Sequence, residues 1–334
     1  MGPGASADAP AEDPARLVAD LARAQVAARC LHVIADCGAA DAVGAAGATP
    51  AEIAAHTGLD TDALARMLRL LAAHGIFAHG PEGRYLHSPA SLLLRSDAAG
   101  SLRSYVRMNG MAVLWDRFKD LSRTAITGRP QHDWASLVDY LAAHPEQSAI
   151  FNEAMVSKSR TVLPAVAAAY EFAGFDTIVD VGGGRGHLLK AILDSAPQAK
   201  GILFELEHVI ADAMSAPRLE RATGNFFTDP LPAADAYLLM DVLHDWNDAD
   251  AARIVRAVRS AAQPEAKLLI VETLVPELPG LHFGKTLDIS MLAVTGGRER
   301  TEAQYRALLA AAGFRLTRVV PTASHYSIVE AVAV

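Results

Sequence analysis

Two stretches of this 334-residue chain hold reactive residue types at close spacing. The first is AYLLMDVLHDWND, Ala236 to Asp248, where an apolar run ends in His244 flanked by acids and Trp246. An imidazole titrates near neutral pH, so it can take up or release a proton there. A histidine closing a buried strand could equally be a polar cap, and its neighbours must decide. The second is IVDVGGGRGHL, Ile178 to Leu188, with Asp180, then Gly182, Gly183, Gly184 and Gly186, then a helical pattern. Four glycines in five positions let the backbone pass close to a ligand and adopt positive φ.

The spacing narrows the ligand. A dinucleotide loop reads G-x-G-x-x-G and sets pyrophosphate at a helix start. Here the spacing from Gly182 is G-x-G-x-G, and Asp180 stands just before it. A carboxylate beside the loop disfavours a phosphate and suits a ligand with an amino group. S-adenosylmethionine has one, and its sulfonium is a second positive charge. The next apolar run ends in Glu205, 19 residues after Gly186. A carboxylate there can accept from both ribose hydroxyls, a feature shared with nicotinamide enzymes. In TGNFFTDPLP, Asn225 offers an amide to the adenine amino group and Phe226 a ring to its face, although Phe226 could equally be core.

The elements that must position these groups follow from periodicity. From Thr177 onward short apolar runs alternate with amphipathic helices: TIVDV, GILFEL, AYLLM and KLLIVET as strands, with helices over HLLKAILDSA, Asp248–Ala262 and Thr301–Ala312. Asp248 is expected to cap its helix. FRLTRVVPT and YSIVEAVAV close the sheet as an antiparallel pair. Such a pattern makes a mostly parallel sheet covered on both faces, with ligands outside the carboxyl ends of its strands. Upstream, Pro14–Val43 reads as helix, with Leu17, Leu21, Ala24, Ala28, Leu31 and Ala35 on one face. Thr49 caps a short helix that Gly58 breaks, and Asp60 or Thr61 starts a second that Gly75 ends. A hairpin around GPEG completes a winged helix-turn-helix pattern. Leu102–Arg123, Trp134–Leu141 and Pro145–Phe172 are helical, the last with a kink at Pro164.

Composition excludes several classes. The net charge is −8, and from Thr49 to Ser96 four arginines meet four acids, so the winged unit has no electrostatic footprint for nucleic acid. Cys30 and Cys37 are the only cysteines, which excludes a disulfide framework and suits a cytoplasmic protein. The histidines show no ligand spacing, so no metal is expected. No apolar run reaches about 18 residues without a charge, so no membrane span is expected. The start, MGPGASADAPAEDP, reads as a floppy tail and not as a signal peptide.

Together these motifs resemble the S-adenosylmethionine-dependent small-molecule O-methyltransferases of the plant caffeate and isoflavone type, with their bacterial natural-product relatives. VDVGGGRG, FFTDPLP, VLHDWND, LLIVETLVP and GGRERTEAQYRALLAAAGF match in order and spacing. The resemblance implies an α/β Rossmann-like class I methyltransferase domain, with a mostly parallel seven-stranded sheet, behind a mainly helical winged-helix dimerisation domain. It divides the chain into a tail over 1–13, the dimerisation domain over 14–110, a linker with substrate-pocket helices over 111–170 and the cofactor-binding catalytic domain over 171–334. It implies a homodimer, S-adenosyl-L-methionine as cofactor and no metal.

The resemblance also assigns roles. His244 matches the catalytic base, and Glu272 and Glu299 the two acids flanking it. Gly182 matches the loop glycine at the cofactor, with Asp180 and Gly184 beside it, and Glu205 the ribose acid, usually Asp. Asn225 falls where the family has Asp at the adenine end, and Phe226 on its apolar neighbour. Ser159 falls on a cofactor-side serine. Met240 stands where plant members place a Lys, so that contact is lost here or replaced through Asp241. Phe151, Met155 and Met291 are expected as acceptor-pocket walls, with Trp246 a wall and Asn109 and Trp115 further candidates, in a pocket between the domains.

The chemistry favours an acidic hydroxyl. A phenol and an unperturbed imidazole differ by roughly 3.5 pKa units, about 5 kcal/mol, which a carboxylate on the imidazole narrows. An aliphatic alcohol, with a pKa near that of water, leaves a gap of about 9 units. The expected reaction is therefore in-line methylation of a phenolic or otherwise acidic hydroxyl on a small aromatic or polyketide-like natural product. Three other readings stay open: an atypical hydroxylase or decarboxylase on the same fold, an N-methyltransferase, and a winged-helix transcription regulator.

Overall fold

The computed structural model describes residues 13–334, so the tail expected over 1–13 lies, except for Asp13, outside the described residues. The chain clusters into two units. One takes the chain up to Met111 together with Ile150–Ser157, and the other Ala112–Ala149 with Lys158–Val334. None of the described helices is long and apolar enough to cross a membrane.

In the first unit, α1 (Pro14–Asp36) starts where the Asp13 carboxylate accepts the Ala15 N–H. It stops short of the expected Val43, because the chain turns through Gly38 at φ 73° into a single 3₁₀ turn, Ala39–Ala42. Of α1 only Ile34 and Ala35 are buried, whereas Leu17, Val18, Leu21 and Val26 stay exposed. The capping box on α2 (Pro50–Thr57) is formed by Thr49 and Glu52. Asp60 caps α3 (Thr61–Ala73). The hairpin is β1 (Phe77–His79) against β2 (Tyr85–His87), antiparallel. α4 (Pro89–Leu92) and α5 (Arg103–Asn109) follow. Ile34, Ile53, Leu64, Leu68, Leu71 and Phe77 fill the core. Arg84 is bound to Glu52 at 3.0 and 3.1 Å and Arg95 to Asp97, so these charges are spent inside the unit.

The helix expected over Leu102–Arg123 is three pieces, α5, α6 (Ala112–Lys119) and α7 (Leu121–Thr127), interrupted at Gly110 and Asp120. α8 (Trp134–Ala143) and α9 (Pro145–Ala169) come next, with Pro164 inside the last. Then β3 (Thr177–Val181), α10 (His187–Ser195), β4 (Lys200–Glu205), α11 (Glu207–Ile210), β5 (Leu219–Thr223) and β6 (Ala236–Met240) alternate. A 3₁₀ turn, Leu243–Asp245, leads into α12 (Asp248–Ala261), β7 (Lys267–Glu272), α13 (Phe283–Val294), α14 (Glu302–Ala310), β8 (Phe314–Pro321) and β9 (Ser327–Ala333). The seven-stranded sheet has the order β5-β4-β3-β6-β7-β9-β8. It is parallel from β5 to β7 and antiparallel across β9 and β8.

Alternate strand residues point to opposite faces. Val179, Tyr237 and Leu239 pack with Ile254, Val255 and Leu309 on one face, and Ile178 and Leu238 with Leu188, Leu189 and Ile192 on the other. The order reverses at β3, so the crevice beside β3 and β6 is where this sheet type offers a ligand site. The glycine loop leaves β3 there, Glu205 ends β4, His244 follows β6 and Glu272 ends β7.

Candidate active site

The loop after β3 is shaped by contact with its own strand. A Cβ on Gly183 would lie 2.3 Å from the Asp180 carboxyl carbon, so only glycine fits over that side chain. Asp180 is 1% exposed, and neither carboxylate oxygen has a hydrogen-bond partner. Burial first, then the nearby Glu205 charge, push its pKa up to about 7. The carboxylate therefore lies beneath the loop, covered by Gly183. Glu205 reaches across from β4. Its Oε2 accepts the Gly184 N–H at 3.0 Å and its Oε1 the Leu206 N–H at 2.8 Å. Each oxygen keeps a lone pair for a ligand hydroxyl.

Asn225 also shapes its own turn. Its Oδ1 accepts the Phe227 N–H at 2.9 Å, and its own N–H donates to Asp229. The side chain therefore builds the turn, and only a second lone pair is left to accept from an amino group. Phe226 stands beside the glycine loop, 3.7 Å from where a Gly182 Cβ would sit, and meets Phe227 and Trp246 edge-on.

His244 is 5% exposed on the turn after β6. Its Nδ1–H donates to Glu299 Oε1 at 2.7 Å, which leaves Nε2 as the basic end. Nε2 faces Asp241 at 3.7 Å and Asp245 at 3.9 Å. Burial works against the imidazolium, but Asp245, the hydrogen bond to Glu299 and the charge on Asp241 outweigh it and push its pKa up to about 10. Burial raises Asp245 itself to about 6.

Glu272 corrects an expectation, because it does not touch the imidazole. Its Oε1 accepts the backbone N–H of His244 at 3.1 Å, and Oε2 is hydrogen-bonded to the Tyr305 hydroxyl. Burial lifts its pKa to about 7. The two glutamates thus hold one residue from two sides, one at the ring and one at the main chain. Asp248 is a second correction. Asn247 caps α12 by accepting from Ala249 and Asp250, which frees Asp248 to bind Arg298 and Arg300.

Around Met240 the structure adds partners to Asp241 that the sequence did not announce. Met240 packs on the core beneath the sheet. Asp241 instead turns up with φ 53°, in the left-handed region, held by the Tyr326 hydroxyl at 2.7 Å and by Lys158 Nζ at 3.0 Å. Lys158 comes from α9, next to Ser159, which is half-buried on the same helix. Trp246 lines a cavity of about 190 Å³ with Trp134, Asp133, Asp245, Thr295 and Gly296; His244 is not among its walls. Met291 is half-buried on α13. Phe151 and Met155 lie on the stretch of α9 that groups with the first unit; Asn109, at the end of α5, belongs to the same unit, and its amide donates to Tyr105 O of its own helix. Sequence reasoning missed Lys158, Tyr305, Tyr326 and Arg300, which act through contacts far along the chain. Only Arg300, inside the RERT run that supplied Glu299, had a signal to follow.

Comparison with known proteins gives a consistent result. Residues 118–315 match the O-methyltransferase domain and residues 19–97 the O-methyltransferase dimerisation domain. The phenazine O-methyltransferase PhzM of Lysobacter antibioticus is 40% identical over 310 residues, covering 90% of this chain and 91% of that one. The 8-amino-8-demethylriboflavin N,N-dimethyltransferase of Streptomyces davaonensis is 34% identical, covering 84% and 85%. The crystal structure of NcsB1, an O-methyltransferase from neocarzinostatin biosynthesis in complex with S-adenosyl-L-homocysteine and 1,4-dihydroxy-2-naphthoic acid, superposes with a TM-score of 0.80 at 32% identity, covering 97% and 100%.

Proposed function

We propose, from the premise that this chain belongs to the S-adenosylmethionine-dependent O-methyltransferase family with its dimerisation domain, that it methylates a phenolic or similarly acidic hydroxyl of a small aromatic natural product. The observation that carries this reading is the buried His244 hydrogen-bonded at 2.7 Å to Glu299. A base backed by a carboxylate is what an O–H acceptor needs, because methylation at neutral oxygen must shed a proton.

The residues fit the cofactor. The Gly182–Gly186 loop passes over a buried, unpartnered Asp180 carboxylate, a field suited to a cation and hostile to a phosphate. Glu205 is anchored by two backbone amides and would take the ribose. Phe226 would cover the adenine, with Asn225 at its edge, and Gly182, Gly184 and Ser159 complete the surround. The Lys158–Asp241 pair supplies the charge that Met240 lacks. When bound, S-adenosylmethionine supplies a methyl group activated by its sulfonium.

The chain's own work is to position the acceptor, exclude water and remove one proton. His244 Nε2 takes the hydroxyl proton while Glu299 holds Nδ1–H and steadies the imidazolium. With its pKa raised to about 10, the imidazole matches a phenol, and the gap of an ordinary histidine closes. The cost moves to emptying the base. Asp241, although paired with Lys158 at 3.0 Å, adds to that rise behind Asp245 and the bond to Glu299, so the fraction of free base grows as pH rises toward the raised value. Trp246 and Met291 are the acceptor-side walls we assign in the second unit.

We further propose a homodimer in a reducing cytoplasm. The exposed Leu17, Val18, Leu21 and Val26 on α1 and the free Cys30 and Cys37 support this. The deciding experiment is methyl transfer from labelled donor to a panel of phenols, comparing His244→Ala with the parent. General-base catalysis contributes 10²–10⁴-fold. Turnover should therefore fall at least about 100-fold while calorimetric cofactor affinity stays within about threefold. Turnover retained in that variant removes the base.

A further inference from the structure

The loop that carries Glu299 also grips the turn that carries His244. A Cβ on Gly297 would stand 1.9 Å from the His244 carbonyl oxygen, so the two backbones are in contact. The Arg298 N–H donates to that same carbonyl at 2.8 Å. Arg300 then reaches under the turn with no exposed surface. Its Nη1 donates to Leu243 O at 2.9 Å, its Nη2 to Trp246 O at 3.0 Å and its Nε to Asp248 Oδ1 at 3.0 Å. The carbonyls of Leu243, His244 and Trp246 are thus all held from one loop. That loop is itself tied to the extension of β7, where the Val275 N–H donates to Arg300 O at 3.0 Å. The guanidinium lies 5.9 Å over the Tyr305 ring, whose hydroxyl binds Glu272, the acceptor of the His244 N–H.

A buried guanidinium is costly unless its donors are well used. Here its carboxylate, Asp248, is largely exposed, and two of its nitrogens go to main-chain oxygens bracketing the base. We propose that Arg300 is a positioning residue for methyl transfer: by binding the carbonyls on either side of His244, it sets the separation of the imidazole from the neighbouring Glu299. This rests on the reading of His244 as the base. It needs no cofactor geometry, because every contact lies between protein groups: the turn after β6, the starts of α12 and α14, the end of β7 and the 296–301 loop. Lysine cannot replace the fork, since a point charge cannot bridge two divergent carbonyls.

The test follows the ring and not only the rate. Histidine labelled at Cε1 lets the His244 titration be read by NMR in the parent, Arg300→Met and Arg300→Lys, alongside pH profiles of kcat and calorimetry with S-adenosylmethionine. In Arg300→Met the His244 pKa should fall by at least about one unit as the Glu299 bond loosens. A misplacement of about 1 Å costs near 10²-fold, so kcat should fall about 30-fold or more, with cofactor affinity within threefold. Arg300→Lys should recover part of both. An unchanged His244 titration, with or without lower turnover, overturns the proposal. If Arg300→Met does not fold, Arg300→Lys decides alone: a His244 titration unchanged from the parent overturns it. Failure of the base reading looks different, as turnover surviving in His244→Ala, and the ring titration stays informative in that case.

Discussion

At the scale of single residues, the site depends on which atom each carboxylate meets. Glu299 meets the ring and Glu272 the main chain. Replacing each with glutamine should therefore give different pH behaviour. Glu299→Gln removes a group that raises His244, so the imidazole pKa falls and the alkaline rise of kcat/KM moves to lower pH. Maximal turnover should drop about tenfold, because the imidazolium loses its partner. Glu272→Gln should leave the position of that rise nearly in place and lower turnover through a looser turn. A pH–rate series on both variants separates them. The RERT run made Glu299 legible, and VLHDWND made His244 legible. What a carboxylate touches was not legible, because a bond to the His244 backbone amide leaves no mark in residue type. The same limit hid the Lys158–Asp241 pair, whose partners are 83 positions apart and meet only once α9 lies against the sheet.

At the scale of elements, two close approaches do the positioning, Gly297 on the His244 carbonyl and Gly183 on the Asp180 carboxyl. Gly183 sits on the Asp180 carboxyl, and a methyl there would overlap it at 2.3 Å. Gly183→Ala should displace the loop and weaken S-adenosylmethionine binding at least about 100-fold in calorimetry, while the His244 titration stays near its parent value, because the glycine loop and the base leave different strands. The alternation of strands and helices was legible from Thr177 onward, since each run is short, apolar and bounded. β5 was not, because at the sheet edge its Glu220, Arg221 and Thr223 face solvent and it lacks an apolar signature. Nor was the early end of α1, since an apolar stripe continues past Gly38 while the backbone does not. The cap of α12 moved by one residue for a physical reason: Asn247 can satisfy two amides, and Asp248 is then available to the arginines.

At the scale of the whole molecule, the apolar residues left bare on α1 call for a second copy. Light scattering at micromolar concentration should give twice the 35.3 kDa chain mass, and Leu21→Glu should shift it toward one chain. A single-chain mass for the parent would contradict this. Among the protein's acids, Asp180 is the most consequential, its pKa pushed by burial up to about 7 and its oxygens without a hydrogen-bond partner. A ligand that brings positive charge to the loop above it favours the ionised form, so complex formation ejects a hydrogen ion into solvent. Cofactor affinity should then climb as pH rises through 6 to 7 and level off above it. The heat of association should differ between phosphate and Tris in proportion to their ionisation enthalpies, a dependence that Asp180→Asn abolishes. Charging with methyl donor thereby becomes a local reading of acidity, written into the first strand of the sheet before any acceptor arrives.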